Sequence, residues 1–239
     1  MIEITDLTVR FGGVKPLDAM SVTFDAGTCG LIGPNGAGKT TFFNVMSGFV
    51  KPAAGRVHAF GDDLLRMKHF RRARWGLRRT FQTEQAIEEL SVLDNVAMVW
   101  DHAKHDGGGK RADDVLDALA FVGIEADPGD KVGTLDARER RLVEVARAVV
   151  GQPKVVLLDE PAAGLSDEET KHLAAVIRSI PEHTGAQVIL VDHDMTLVSA
   201  CCENTAVLDF GKLIAAGPTA AILRDERVIK AYLGTEEVQ

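Results

Sequence analysis

No stretch of this chain stays apolar for the roughly 20 residues that a membrane helix needs, so none of it reads as a span. Cysteine is scarce. Cys29, Cys201 and Cys202 make no disulfide framework, and adjacent cysteines rarely pair with each other. They read as small buried thiols in a reducing compartment. Met1-Ile2-Glu3-Ile4-Thr5-Asp6 shows neither a basic start nor a following apolar segment, so no secretory signal is visible. Excess positive charge is missing too. A formal net charge of −8 and a pI near 5.4 give no electrostatic drive toward nucleic acid, and no nucleic-acid partner is expected. Internal repeats and low-complexity segments are absent. The expectation is a cytoplasmic chain, held at a membrane, if at all, by something else.

What is present suits a globular fold. The chain has 239 residues and is 46% hydrophobic, enough for one large domain or two lobes sharing a core. Ile2, Ile4, Leu7, Val9 and Phe11 alternate as in a half-buried strand, and Gly12-Gly13 breaks it. A second strand is expected near Met20–Phe24 and a short buried one over Thr28–Ile32, followed by a helix from Lys39 to Gly48. Arg66, Lys68, Arg71, Arg72, Arg74, Arg78 and Arg79 make residues 62–79 strongly basic. That stretch reads as a solvated helix face, with contact to anionic lipid or a partner as the alternative. From about Thr83 to Thr134 helical spacing dominates, interrupted by a flexible Asp106-Gly107-Gly108-Gly109. After it, helices are expected over 136–150 and 167–180, and strands over 154–159, 187–191, 205–209 and 213–216. A short helix near 219–223 follows.

Gly33-Pro34-Asn35-Gly36-Ala37-Gly38-Lys39-Thr40 matches G-x-x-x-x-G-K-[ST], between an expected strand and an expected helix. Glycines let backbone N–H groups turn inward around phosphate oxygens, and the helix start adds its positive end. Lys39 is expected to reach the β and γ phosphates and the Thr40 hydroxyl to ligate Mg²⁺. Thr41 is grouped with them. The motif implies a nucleotide without naming a family.

Val155-Val156-Leu157-Leu158-Asp159-Glu160 is an apolar strand ending in two carboxylates. Such a strand delivers its C-terminal end to the ligand crevice of a parallel sheet. Asp159 fits a Mg²⁺-associated position. Glu160 points the other way and suits a general base for the attacking water.

With these motifs in place the whole chain resembles the ABC ATPase family. The resemblance implies an α/β fold: a P-loop NTPase core with an antiparallel β edge and an inserted helical subdomain. The single ABC ATPase domain would span 1–239, with a core lobe over about 1–82 and 151–239 and a helical lobe over about 83–150. Arg79-Thr80-Phe81-Gln82 looks like the family's glutamine loop, in which Gln82 senses Mg²⁺ and the attacking water. His193, after Val191-Asp192, takes the place of the histidine that contacts the γ phosphate. Phe11 stands where an aromatic stacks on adenine, with a core phenylalanine in the first strand as the alternative. Ala163-Gly164-Leu165-Ser166-Asp167 looks like the loop that crosses to the opposite subunit. ATP and Mg²⁺ are the implied cofactors.

One motif departs from the family. The usual Leu-Ser-Gly-Gly-Gln is here Leu135-Asp136-Ala137-Arg138-Glu139. An ionised Asp136 has no proton to donate to phosphate and adds like charge. Asp136 and Glu139 also suit an N-cap and capping-box pair. The poor signature implies a second, different ATPase cassette as partner, beside transmembrane permease subunits; a pair of identical chains is the alternative, since Arg138 and Arg140 could partly offset the charge of Asp136. Val9 to Val14, the glutamine loop, Asp159 to Leu165 and Val228 to Gly234 are most similar to ATPases of branched-chain amino acid uptake. ATPases of urea or amide import and of lipopolysaccharide export are alternatives, and a soluble non-transport ABC ATPase is a further one.

Overall fold

The computed structural model describes residues 1–103 and 110–233. It consists of two bodies, Met1–Arg72 with Ile189–Gln239, and Ala73–Val188. The first begins with β1 (Ile2–Phe11), β2 (Val14–Phe24), β3 (Thr28–Ile32), α1 (Lys39–Ser47), β4 (Ala54–Ala59) and β5 (Asp62–Asp63). The division falls inside α2 (His69–Trp75). The second body continues with β6 (Leu77–Arg79), α3 (Val92–His102), α4 (Arg111–Val122), α5 (Ala137–Val149), β7 (Val155–Asp159) and α6 (Asp167–Thr184). The chain returns to the first body within β8 (Gln187–Val191). It ends with α7 (Met195–Cys201), β9 (Asn204–Asp209), β10 (Lys212–Pro218), α8 (Thr219–Ile222) and α9 (Glu226–Leu233).

In the first body β2, β1, β4 and β5 form an antiparallel sheet in that order. The apolar phase of β1 changes from even positions, Ile2 and Ile4, to odd ones, Leu7 and Val9, all buried. The cause is a bulge: the register shifts between Ile4 and Leu7, and Asp6 takes φ 49°. Its amide donates to Ser21 Oγ at 2.8 Å. β3 is wholly buried and pairs in parallel with β9, which pairs antiparallel with β10. Helix α1 stops at Gly48, whose φ of 82° suits a left-handed cap.

The basic stretch 62–79 is not one solvated helix face. It folds as β5, a 3₁₀ turn over Leu64–Arg66, α2 and β6. Arg66, Lys68, Arg71 and Arg74 are exposed as expected, but Arg72 and Arg78 are buried. Arg72 donates to the carbonyls of Val45 and Met46 at the end of α1 and to Met67 O. It thereby satisfies helix-end acceptors and the negative pole of the helix. Arg78 donates to the carbonyls of Ala73 and Leu77, and burial pushes its pKa down to about 10.

In the second body β6 runs parallel to the fully buried β7. Helices α3, α4 and α5 pack on one another, and α5 also meets α6. Buried Asn95 binds the chain ahead of α3, accepting from Ile87 N and donating to the carbonyls of Ile87 and Ser91. Helix α6 runs to Thr184, past the expected end at 180. Pro181 lies inside it, and Gly185 N closes the last turn on Pro181 O at 2.9 Å. A proline in helical spacing reads as a stop, yet here one final turn tolerates it. The expected Asp106–Gly109 loop and Gly234 lie outside the described residues. Among the described residues no helix is long and apolar enough to cross a membrane.

Candidate nucleotide site

The first body carries the phosphate loop between β3 and α1. Gly33 and Gly38 have φ of 150° and 110°. A Cβ on Gly33 would lie 2.1 Å from Leu208 O, and one on Gly38 would lie 2.2 Å from Pro16 O. Only glycine fits either position, because backbone rather than a movable side chain blocks it. Ala37 O accepts from Gly211 N at 3.0 Å, and Gly211 O accepts from Asp18 N at 2.9 Å, so neighbouring turns brace the loop. Lys39 opens α1, is buried, and donates through Nζ to the carbonyls of Gly33 and Pro34. Asn35, Gly36 and Thr40 are exposed, Thr41 is half-buried, and Pro34 and Ala37 are buried.

Phe11 and His193 lie in the same body. Phe11 is 55% exposed at the end of β1, so it is not a core residue. A strand-end position after the last turn of alternation leaves one ring face accessible for stacking. The His193 side chain is 70% exposed just past β8, with Nδ1 3.9 Å from Asp192 Oδ1. Asp192 Oδ1 accepts from Asp194 N at 2.9 Å, and Asp194 caps α7.

The second body carries Gln82, Asp159 and Glu160. Asp159 ends β7, buried, and its Oδ2 accepts from Arg79 Nη2 at 2.8 Å. Thr80 Oγ1 accepts from Asp159 N at 3.1 Å. Glu160 adopts φ 48° and accepts through Oε2 from Gln82 Nε2 at 2.8 Å. A left-handed glutamate is strained by about 1 kcal/mol, and such strain clusters at functional sites. The structure thus brings Gln82 to Glu160 and adds to Asp159 an arginine that belongs both to the basic stretch and to the glutamine loop. The signal for it was a cation three residues before Gln82 in an otherwise solvent-seeking run.

The departing signature is a helix cap. Asp136 Oδ1 accepts from Glu139 N at 2.8 Å and starts α5. The reciprocal capping box is the one made by Ser166 and Glu169 at α6. Arg138 pairs with Glu125 at 3.5 Å, and Arg140 with Glu84 at 3.0 Å. Glu144, buried in α5, pairs with Arg147 at 2.8 Å and accepts from Gln85 N at 3.1 Å. It ties the glutamine loop to the helix behind the signature. An acid among Val143, Val145 and Ala146 was the sequence signal for this contact.

The oxygen donors on these elements suit a hard cation. Mg²⁺ takes few protein ligands, commonly one or two carboxylates together with phosphate oxygens, and the Asp159 carboxylate at the end of β7 is a donor of that kind. No cluster of three or more His, Cys, Asp or Glu able to hold a metal occurs among the described residues.

Comparison with known proteins shows the family. Residues 17–163, more than half of the chain, match the family described as ABC transporter. Residues 212–238 match the branched-chain amino acid ATP-binding cassette transporter family. The high-affinity branched-chain amino acid transport ATP-binding protein BraF of Pseudomonas aeruginosa is 31% identical, with 98% of both chains covered. LivG of Escherichia coli, of the same description, is 32% identical at the same coverage. The lipopolysaccharide export system ATP-binding protein LptB of Escherichia coli is 33% identical over 97% of this chain and 96% of its own. Among solved structures, the cassette MJ1267 of an ABC transporter superposes with a TM-score of 0.85 at 26% identity, covering 97% of this chain and 98% of that one. The phosphate loop, the acidic strand end and these likenesses along nearly the full length lead to one conclusion: the chain belongs to the ABC transporter family, as a nucleotide-binding ATPase subunit of a transporter.

Proposed function

We propose that the chain powers an importer of branched-chain or related amino acids, docked on permease subunits at the cytoplasmic face of the membrane and paired with a second, different cassette. The observation that carries the importer reading is the match of residues 212–238 to the branched-chain cassette family. The similarity to LptB keeps lipopolysaccharide export as the second reading.

In the proposed reaction Lys39 compensates the charge of the β and γ phosphates and the loop amides hold their oxygens. Thr40, Asp159 and Gln82 would hold Mg²⁺, which when bound would neutralise developing phosphate charge. Glu160 takes the proton of the attacking water, and Gln82 fixes the carboxylate that does so. His193 donates toward the γ phosphate, and Phe11 stacks on adenine.

The roles separate on mutation. Lys39→Ala weakens ATP binding, whereas Glu160→Gln keeps binding and slows turnover by about 10²–10⁴-fold. Unchanged turnover of Glu160→Gln in a transport-competent complex overturns the base assignment. The cargo is tested by purifying the complex with its membrane chain and measuring hydrolysis in vesicles. Stimulation by leucine, isoleucine or valine with their binding protein supports import; stimulation by lipopolysaccharide alone replaces that reading.

A further inference from the structure

We propose that Arg79 is a positioning residue for Asp159, fixing the carboxylate oxygen offered to the divalent cation of the nucleotide. The inference rests on the reading of Asp159 as Mg²⁺-associated. It begins with residues 79–82, which leave β6 beside the end of β7. The parallel ladder brings Arg79 opposite Leu157, and Thr80 N donates to Leu157 O at 2.9 Å. Beyond that point side chains take over. Arg79 Nη2 donates to Asp159 Oδ2 at 2.8 Å, Thr80 Oγ1 accepts from Asp159 N at 3.1 Å, and Gln82 Nε2 donates to Glu160 Oε2 at 2.8 Å. Three residues within one four-residue segment therefore hold both acids of the other.

The Arg79–Asp159 pair is the buried part of this arrangement, with side chains only 6% and 8% exposed. The guanidinium also lies over the Phe81 ring, 4.7 Å from its centroid. A carboxylate whose Oδ2 is held by a buried, stacked donor is restrained about its terminal torsion. Oδ1 is restrained with it. Arginine suits this task because its planar fork has a fixed geometry and it stacks on aromatic faces, which an ammonium does not do in the same way. The guanidinium charge repels a second cation, but the triphosphate brings most of the negative charge that Mg²⁺ needs. Orientation is what Asp159 adds. Partners of metal ligands act this way in general, and their loss typically weakens metal affinity about 10–100-fold.

The experiment measures equilibrium binding of ATP to the full chain, over a range of Mg²⁺ concentrations and in EDTA. Arg79→Lys and Arg79→Gln are expected to bind ATP in EDTA as the unmutated chain does. The Mg²⁺ concentration that half-saturates the enhancement of ATP binding is expected to rise by about 10–100-fold. If Arg79→Gln fails to fold, as a broken buried pair can cause, Arg79→Lys retains the charge and decides the matter. An Mg²⁺ dependence that is unshifted, or shifted to lower concentration, overturns the positioning role; the second outcome makes Arg79 a competitor of the cation. Asp159→Asn separates the two layers. If it keeps the full Mg²⁺ enhancement, the reading of Asp159 fails. If it loses the enhancement while Arg79→Lys does not shift it, only the role of Arg79 fails.

Discussion

Gln82 Nε2 donates to Glu160 Oε2 across 2.8 Å, although 78 positions separate them in the chain. The contact exists because Glu160 turns into the left-handed region at φ 48° as the chain leaves β7. The glutamine loop thereby touches the carboxylate assigned as general base. Gln82→Ala is expected to leave ATP affinity in EDTA intact and to slow hydrolysis by about 10²-fold, the cost of misplacing a reacting group by about 1 Å. Equilibrium binding and steady-state phosphate release, measured together, check it. A parallel loss of affinity would move Gln82 from base positioning to binding.

Arg72 predicts a stability effect without a change in chemistry. Its guanidinium serves three carbonyls, two of them at the end of the helix that begins with Lys39. Replacing it with methionine keeps most of the stem but abandons those acceptors in a buried place. Thermal or denaturant unfolding is expected to show a loss of about 2–4 kcal/mol, since charged hydrogen bonds contribute more than neutral ones. Arg71→Met, at an exposed neighbour, is expected to change stability by less than about 0.5 kcal/mol.

The thiols are expected to be inert in the native chain. Cys29, Cys201 and Cys202 are all buried, and Cys201 Sγ lies 3.9 Å from Cys202 Sγ. The neighbouring thiol and burial push the Cys202 pKa up, so its nucleophilic thiolate is scarce at neutral pH. Alkylation by iodoacetamide, followed by mass spectrometry, is expected to label these residues in denaturant and hardly at all without it. Rapid native labelling of Cys202 would contradict the burial.

Much of this was legible in the sequence where the signal is local. The phosphate loop and the acidic end of β7 follow fixed spacings within a few residues. Strand β1 follows from its apolar positions, whereas its bulge between Ile4 and Leu7 is absent from the expected plain alternation. The C-terminal strands fell within a residue or two of their expected limits. The misreadings share a different cause. Arg72 and Arg79 looked like surface charge because composition cannot say which carbonyls or carboxylates a fold will bring to them. Arg79 and Asp159 are 80 positions apart. The expected end of α6 at 180 falls one turn short, because the helix continues through Pro181 to Thr184.

The last prediction concerns Asp136 and the partner cassette. In the family this loop binds the nucleotide held by the opposite subunit, so its chemistry is tested by association. Asp136 caps α5 through Glu139 N at 2.8 Å. Serine caps equally well, and it restores a hydroxyl donor while removing a negative charge. Asp136→Ser is therefore expected to keep unfolding stability within about 0.5 kcal/mol, whereas Asp136→Ala is expected to lose about 1 kcal/mol through the cap alone. The cations nearby do not reproduce the donor: Arg138 is drawn to Glu125, and Arg140 to Glu84 and to Leu135 O at 2.6 Å. In a Glu160→Gln background, which retains ATP, the chain with Asp136 is expected to stay monomeric with ATP, and the Asp136→Ser chain to shift toward dimer. Size exclusion with light scattering reads both. Tight ATP-dependent homodimers of the Glu160→Gln chain with Asp136 in place, together with cooperative hydrolysis by the unmutated chain alone, would overturn the different-partner reading. Such dimers would mean that the cap and the phosphate contact coexist at one aspartate, with Arg138 or Arg140 released to meet the phosphate.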